Sequence, residues 1–261
     1  MKLLNLFFFT VGNSAIKIVE TLGVKVLFVL VAISHVVRPP IYFRRILKEF
    51  IEIAFYSLPI VGLTAFFTGM VLALQSYVGF ARFSAEGAIA NVVVISITRE
   101  LGPVLTALMV AGRISGAMAA EIGTMKVSEQ LDALYTLSVN PMKYLITPKI
   151  IAGILALPIL VFIADIIGVM GGWVVAVAQL DFSSSLYLKS TISFVTFLDI
   201  FSGLVKAAVF GLIITVMGCF FGYFSSRGAM GVGKATTNAV VTSSILIFLF
   251  DYILTVLFFN L

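Results

Sequence analysis

Residues 144–180 read YLITPKIIAGILALPILVFIADIIGVMGGWVVAVAQL. Beyond Lys149 the run holds one charged side chain, Asp165, and it far exceeds the roughly 20 apolar residues that cross a bilayer core. Such a run belongs in lipid, and working outward from it finds four more, at about 51–79, 88–120, 194–223 and 239–261. The fold this predicts is an all-α polytopic membrane protein with five transmembrane helices. Most of the runs exceed the minimum length, so tilt, kinks or extension past the bilayer are expected. Pro59, Pro103 and Pro158 lie inside runs. A proline lacks the backbone donor and clashes with the preceding turn, so bends are expected there.

Composition agrees. Hydrophobic residues make up 61% of the 261 and charged residues only 11%, against about 25% charged in a soluble domain. With a mean hydropathy of +1.17, too little polar surface exists to cover a water-soluble globule, which excludes soluble enzymes and nucleic-acid binders. The net charge of +5 then reports orientation and not an anionic partner. One cysteine, Cys219, and one histidine, His35, exclude internal disulfides, thiolate zinc sites and paired-histidine metalloproteases. No metal site is expected.

Residues 1–48 read as interfacial or elbow helices on the cytoplasmic side, ahead of a five-span domain over 49–261. Leu3–Val11 is too short to cross, and Val24–Val37 carries Lys25 and His35. A signal peptide over Met1–Val11 lacks a small-x-small cleavage site and meets Lys17 and Glu20 too soon. A helix in the interface with snorkelling lysines fits better. The positive-inside rule sets the topology. Thirteen cations (Lys2, Lys17, Lys25, Arg38, Arg44, Arg45, Lys48, Arg113, Lys126, Lys143, Lys149, Arg227 and Lys234) fall on one side, and Arg82 and Lys189 on the other. The N-terminus is therefore expected in the cytoplasm and the C-terminus outside. No internal repeat, low-complexity segment or linker is evident.

Ionisable groups inside spans cost about 2.5–3.5 kcal/mol each at a helix centre and are candidate functional groups. They are Arg99, Glu100, Asp165, Asp199, Lys206 and Asp251. Asp199 and Lys206, seven apart, share a helix face, as do Arg99, Thr106 and Arg113. The competing reading is pairing across helices that only holds the bundle together. Gly112-x-x-x-Gly116, Gly168-x-x-x-Gly172 and Gly218-x-x-x-Gly222 fit close helix packing, more readily within one chain than between two. Gly228–Lys234 matches seven positions of a nucleotide-binding P-loop, but Ala235 replaces the magnesium-binding hydroxyl and no strand precedes it. A flexible basic cytoplasmic turn is the better account, and the chain carries no motor of its own. Gly112-Arg-Ile-Ser-Gly116 places its serine one position late for a hydrolase elbow.

The link EIGTMKVSEQLDALYTLSVNPMKYLITPK, residues 121–149, is too polar to cross and too patterned for a slack loop. Val127, Leu131, Leu134 and Ser138 form one stripe. Thr124 or Ser128 could cap a helix and Asn140-Pro141 would stop it, which predicts an amphipathic helix over about 124–140. It either rests on the membrane or docks a cytoplasmic partner.

Thr98-Arg-Glu-Leu-Gly-Pro-Val104, Ala111-Gly-Arg113, Ala120-Glu-Ile-Gly-Thr-Met125, Ser128-Glu-Gln130 and Val139-Asn-Pro141 together resemble the MlaE (YrbE-type) permease family, membrane subunits of ABC systems that move phospholipids across the Gram-negative envelope. The likeness covers essentially the whole chain. It implies a homodimer in the bacterial inner membrane that engages a cytoplasmic ABC ATPase, which binds the ATP and magnesium. It also implies a periplasmic ring of MCE-domain proteins, a STAS-type protein on the ATPase and a phospholipid substrate held between protomers. Arg99, Glu100 and Lys206 match positions at the lipid pocket. Glu121, Gly123, Met125, Glu129, Leu131, Leu134 and Pro141 fall in the segment coupled to the ATPase. The subunit itself is then not an enzyme and holds no cofactor. The rival reading is an ion-coupled secondary transporter using Glu100, Asp165 and Asp251 without an ATPase.

Overall fold

The computed structural model describes residues 2–83 and 86–259, and the described residues are predominantly helical, with no strand among them. Expectations touching Met1, Leu261 and the side chains of Lys2 and Lys17 lie outside the described residues. Five helical stretches are long and apolar enough to cross a membrane: Phe43–Phe80, Ile89–Val127, Met142–Ala178, Phe197–Tyr223 and Ala229–Phe259.

Helix α1, Lys2–Val37, precedes them. It meets the bundle through buried Phe28 and Ala32, with the Phe28 ring edge-on to Phe220 and Phe224. The first long stretch is two helices, α2 (Phe43–Ala54) and α3 (Leu58–Phe80), broken just before Pro59, which sits in the first turn of α3. The second stretch runs as α4 (Ile89–Ser96), α5 (Gly102–Val110) and α6 (Gly116–Val127), separated by wider π-type turns at Ile97–Leu101 and Ala111–Ser115. A third π-type turn, Met142–Ile146, opens α8 (Thr147–Ala178), which contains Pro158. Helix α10 is Phe197–Tyr223 and α11 is Ala229–Phe259.

The core lies along α8 and α10, which pack on each other and on α3, α6 and α11. Close backbone approach explains the glycine spacings. A Cβ at Gly218 would come within 2.9 Å of the Ser115 carbonyl oxygen, and one at Gly222 as close to that of Ala119, so this motif is the α6–α10 seam of a single chain. Gly168 likewise faces the Ala65 backbone across the α3–α8 seam.

Three expectations change. The helix expected over 124–140 is α7, Gln130–Thr136 only, because Glu129 takes a left-handed conformation (φ 58°) and breaks it from α6. Ser128 bonds back to the Thr124 carbonyl instead of capping. The expected flexible turn at Gly228–Lys234 is ordered: Gly228 takes φ +90°, and Ala229 onward is helix, so α11 starts ten residues before the apolar run. The link between the third and fourth stretches forms a further helix, α9 (Ser184–Phe194), seated on α4 and α8 through buried Tyr187, a helix the apolar pattern did not announce.

Candidate functional site

Pro103 sets up the site. It cannot donate to the carbonyl four residues back, that of Arg99, and the chain widens into the π-type turn at Ile97–Leu101. The freed Arg99 carbonyl accepts a hydrogen bond from Lys206 Nζ on α10, at 3.0 Å. The same ammonium donates to Glu100 Oε2 (2.8 Å) and to Thr255 Oγ1 on α11 (2.7 Å). Its three protons are thereby used. Asp251 Oδ1 stands 2.9 Å away as an ion contact without hydrogen-bond geometry. Thr255 donates in turn to Glu100 or to the Asp251 carbonyl. Lys206 is fully buried (0% exposed) and joins the second, fourth and fifth long stretches.

Arg99 turns the other way. Its Nε and Nη2 both lie 2.6 Å from Asp199 Oδ1, and its guanidinium sits 4.3 Å from the centre of the Phe259 ring. Asp199 is buried and held at the start of α10 by a capping box, in which Oδ2 accepts from the Thr196 amide and hydroxyl. The Arg99 side chain is 31% exposed. Two cations thus face three carboxylates, and of the two cations only Arg99 has open surface. Around this end, α11 exposes Tyr252, Ile253 and Leu257.

Asp165 lies apart. It is buried at 8% exposure against Gly102, and its Oδ1 has no partner among the described residues. Among the described residues no cluster of His, Cys, Asp and Glu could hold a metal.

At the opposite end, Lys149 (3% exposed) bridges Glu49 of α2 and Glu121 of α6, each at 2.8 Å. Arg113 holds Glu52 and the hydroxyl of Ser57. Pro148, like Pro103, frees a carbonyl, that of Tyr144, and Arg45 reaches toward it while stacking on the same residue's ring at 3.5 Å.

The predicted pocket residues Arg99, Glu100 and Lys206 therefore come together, and Asp199, Asp251 and Thr255 complete the cluster. The pairing was not readable from spacing. Asp199 and Lys206 share a face but take partners on other helices, because Asp199 is committed to capping its own helix. Of the predicted coupling residues, Glu121 and Glu129 are exposed. Gly123, Leu131 and Pro141 are buried, and Met125 and Leu134 are partly buried against the core. The apolar stripe of α7 thus faces its own protein. Its outer side offers Asp132, Tyr135 and Leu137, with Tyr135 hydroxyl to hydroxyl with Tyr223 at 2.9 Å. Spacing could not have found Tyr135–Tyr223, since the partners are on separate helices.

Comparison with known proteins places the chain in a family. The family described as "Permease MlaE" matches residues 46–257. A "Probable ABC transporter permease protein" of Rickettsia bellii is 57% identical over 96% of this chain and 97% of its own length. A protein of the same description from Synechocystis is 42% identical over 87% of this chain and 86% of its own. "Protein TRIGALACTOSYLDIACYLGLYCEROL 1, chloroplastic" of Arabidopsis thaliana is 37% identical over 87% of this chain and 65% of its own.

Proposed function

The chain belongs to the MlaE permease family and is a multi-pass membrane permease of ABC type; from that premise we propose that it moves phospholipid between the inner membrane and a periplasmic MCE-domain ring, maintaining outer-membrane lipid asymmetry. Two copies form the permease, and a cytoplasmic ATPase, with a STAS-domain protein on it, binds ATP and magnesium and does the hydrolysis. The N-terminus is cytoplasmic and the C-terminus periplasmic, by the distribution of cations.

The observation that carries the reading is the open face of Arg99, the one cation of the cluster with exposed surface, beside a buried Lys206. A guanidinium forks onto phosphate oxygens as it does onto a carboxylate. The headgroup phosphate competes with Asp199 for Arg99, and restoring the Arg99–Asp199 pair helps release it. Lys206 acts as a positioning group, since its protons are committed to Arg99 O, Glu100 and Thr255. Apolar side chains on α11 supply the acyl-chain surface. The name of the plant relative, that of a diacylglycerol glycolipid, supports a glycerolipid substrate.

The ATPase meets the segment from Glu121 to Pro141. Glu129 and the outer side of α7 make the contact, while Leu131 and Leu134 carry displacement into the core. The test is mass spectrometry of lipid extracted from the purified permease–ATPase complex, with turnover measured in proteoliposomes. The expected result is co-purified phospholipid and transport that needs the ATPase. A lipid-free complex, or ion-driven transport by the permease alone through Asp165 and Asp251, would overturn the reading.

A further inference from the structure

The glycine-rich stretch after α10 is unused by the site above. In the structure it forms one wall of a groove. Phe221, Phe224, Ser225 and Ser226 line one side, and Gly231, Lys234, Ala235 and Asn238, successive positions on one face of α11, line the other. Gly231 permits the contact, because a Cβ there would collide with the Ser226 carbonyl. Half of this lining is polar in character and none of it is acidic. Lys234 and Arg227 are exposed and have no carboxylate partner among the described residues. Lys25 of α1 brings a third cation to within 5.3 Å of the Phe221 ring centre. Ser225 is buried, and its hydroxyl oxygen has no partner among the described residues.

The groove lies at the edge of the fifth apolar run, where a span leaves the hydrocarbon for the headgroups. The apolar run of the fifth stretch begins at Ala239, next to Asn238. Lys234 lies four residues earlier, about 6 Å further out along the helix. Aromatic rings at the apolar boundary with cations one turn beyond are the pattern of a lipid–water interface.

We propose that this groove binds the phosphate headgroup of an anionic phospholipid from the cytoplasmic leaflet, at a site separate from Arg99. Lys234 and Arg227 attract the phosphate, Ser225 and Asn238 supply hydrogen bonds, and Phe221 and Phe224 carry the first segment of the acyl chains. The proposal rests on the orientation given above. It does not need Arg99, so either proposal can fail alone.

The test uses the assembled permease–ATPase complex in phosphatidylcholine nanodiscs carrying a trace of photoactivatable phosphatidylglycerol. Labelled peptides are then mapped. Labelling is expected in the peptide spanning Phe221–Asn238. Lys234→Gln should lower it several-fold, since it removes the cation facing the anionic headgroup, with labelling near Arg99 unchanged. Inorganic phosphate at equal concentration should leave it in place. Labelling indifferent to Lys234→Gln overturns the proposal. Loss to inorganic phosphate assigns the groove to a free anion, and labelling absent from the complex but present in the permease without its ATPase assigns it to a protein contact; both also overturn it.

Discussion

Lys206 and Lys149 are built alike at opposite ends of the bundle. Each is a nearly dry lysine between two carboxylates from other helices, at 2.8–2.9 Å. They differ in what stands beside them. Lys206 also closes the carbonyl that Pro103 freed, and next to it Arg99 keeps part of its charge in the open. Lys149 joins the elbow helix α2 to the segment leading into α7, and the open member there is an acid, Glu121, 52% exposed. The lesson is that buried lysines make the joints at both ends. What each end can recognise is set by its exposed groups: at one end the Arg99 cation beside a partly open Glu100, at the other the acid Glu121, paired to a buried lysine.

That contrast can be broken most severely at Lys206. Lys206→Ala leaves Glu100, Thr255 and the Arg99 carbonyl without their shared donor and Asp251 without its cation. Removing one member of a buried pair costs roughly 3–5 kcal/mol, so a large fall in the unfolding temperature and in membrane yield is expected. Lys149→Ala should cost less, because Lys149 donates only to Glu49 and Glu121 and its loss strands no backbone carbonyl. Equal losses at the two sites, measured by thermal unfolding of the purified permease, would contradict the distinction drawn here.

A mid-sized effect separates the two sides of α7. Leu131 is buried in the protein's own core, whereas Leu137 is 72% exposed. Leu131→Asp buries a charge in that core and should destabilise the permease by a few kcal/mol. Leu137→Asp should leave stability unchanged and weaken co-purification of the ATPase. If Leu137→Asp keeps the complex intact, the outer side of α7 is not the contact.

The sequence carried the spans, the breaks at Pro59 and Pro103 and the existence of the α7 segment, because long apolar runs and prolines act locally; α8 instead runs on as one helix through Pro158. It did not carry the extent of α7, which depends on the left-handed conformation of Glu129, a residue with no glycine signal. Nor did it carry the direction of the α7 stripe. An apolar stripe reads the same whether it faces a partner or its own core. The ion pairs were half legible. Arg99, Glu100, Lys206 and Asp251 stand out as charges in apolar runs, but which carboxylate meets which cation follows from three helices converging on Pro103. Asp199 goes to Arg99 because Thr196 already holds its other oxygen.

The smallest effect on stability and the most direct one on function belong to Arg99. Its partner Asp199 keeps two hydrogen bonds from Thr196 when Arg99 is removed. The decisive measurement is phospholipid retained per purified permease–ATPase complex for wild type and Arg99→Ala, with assembly checked in the same samples. The account predicts normal assembly with retention reduced several-fold. Wild-type retention in an assembled Arg99→Ala complex would contradict it and leave the cluster as a purely structural joint.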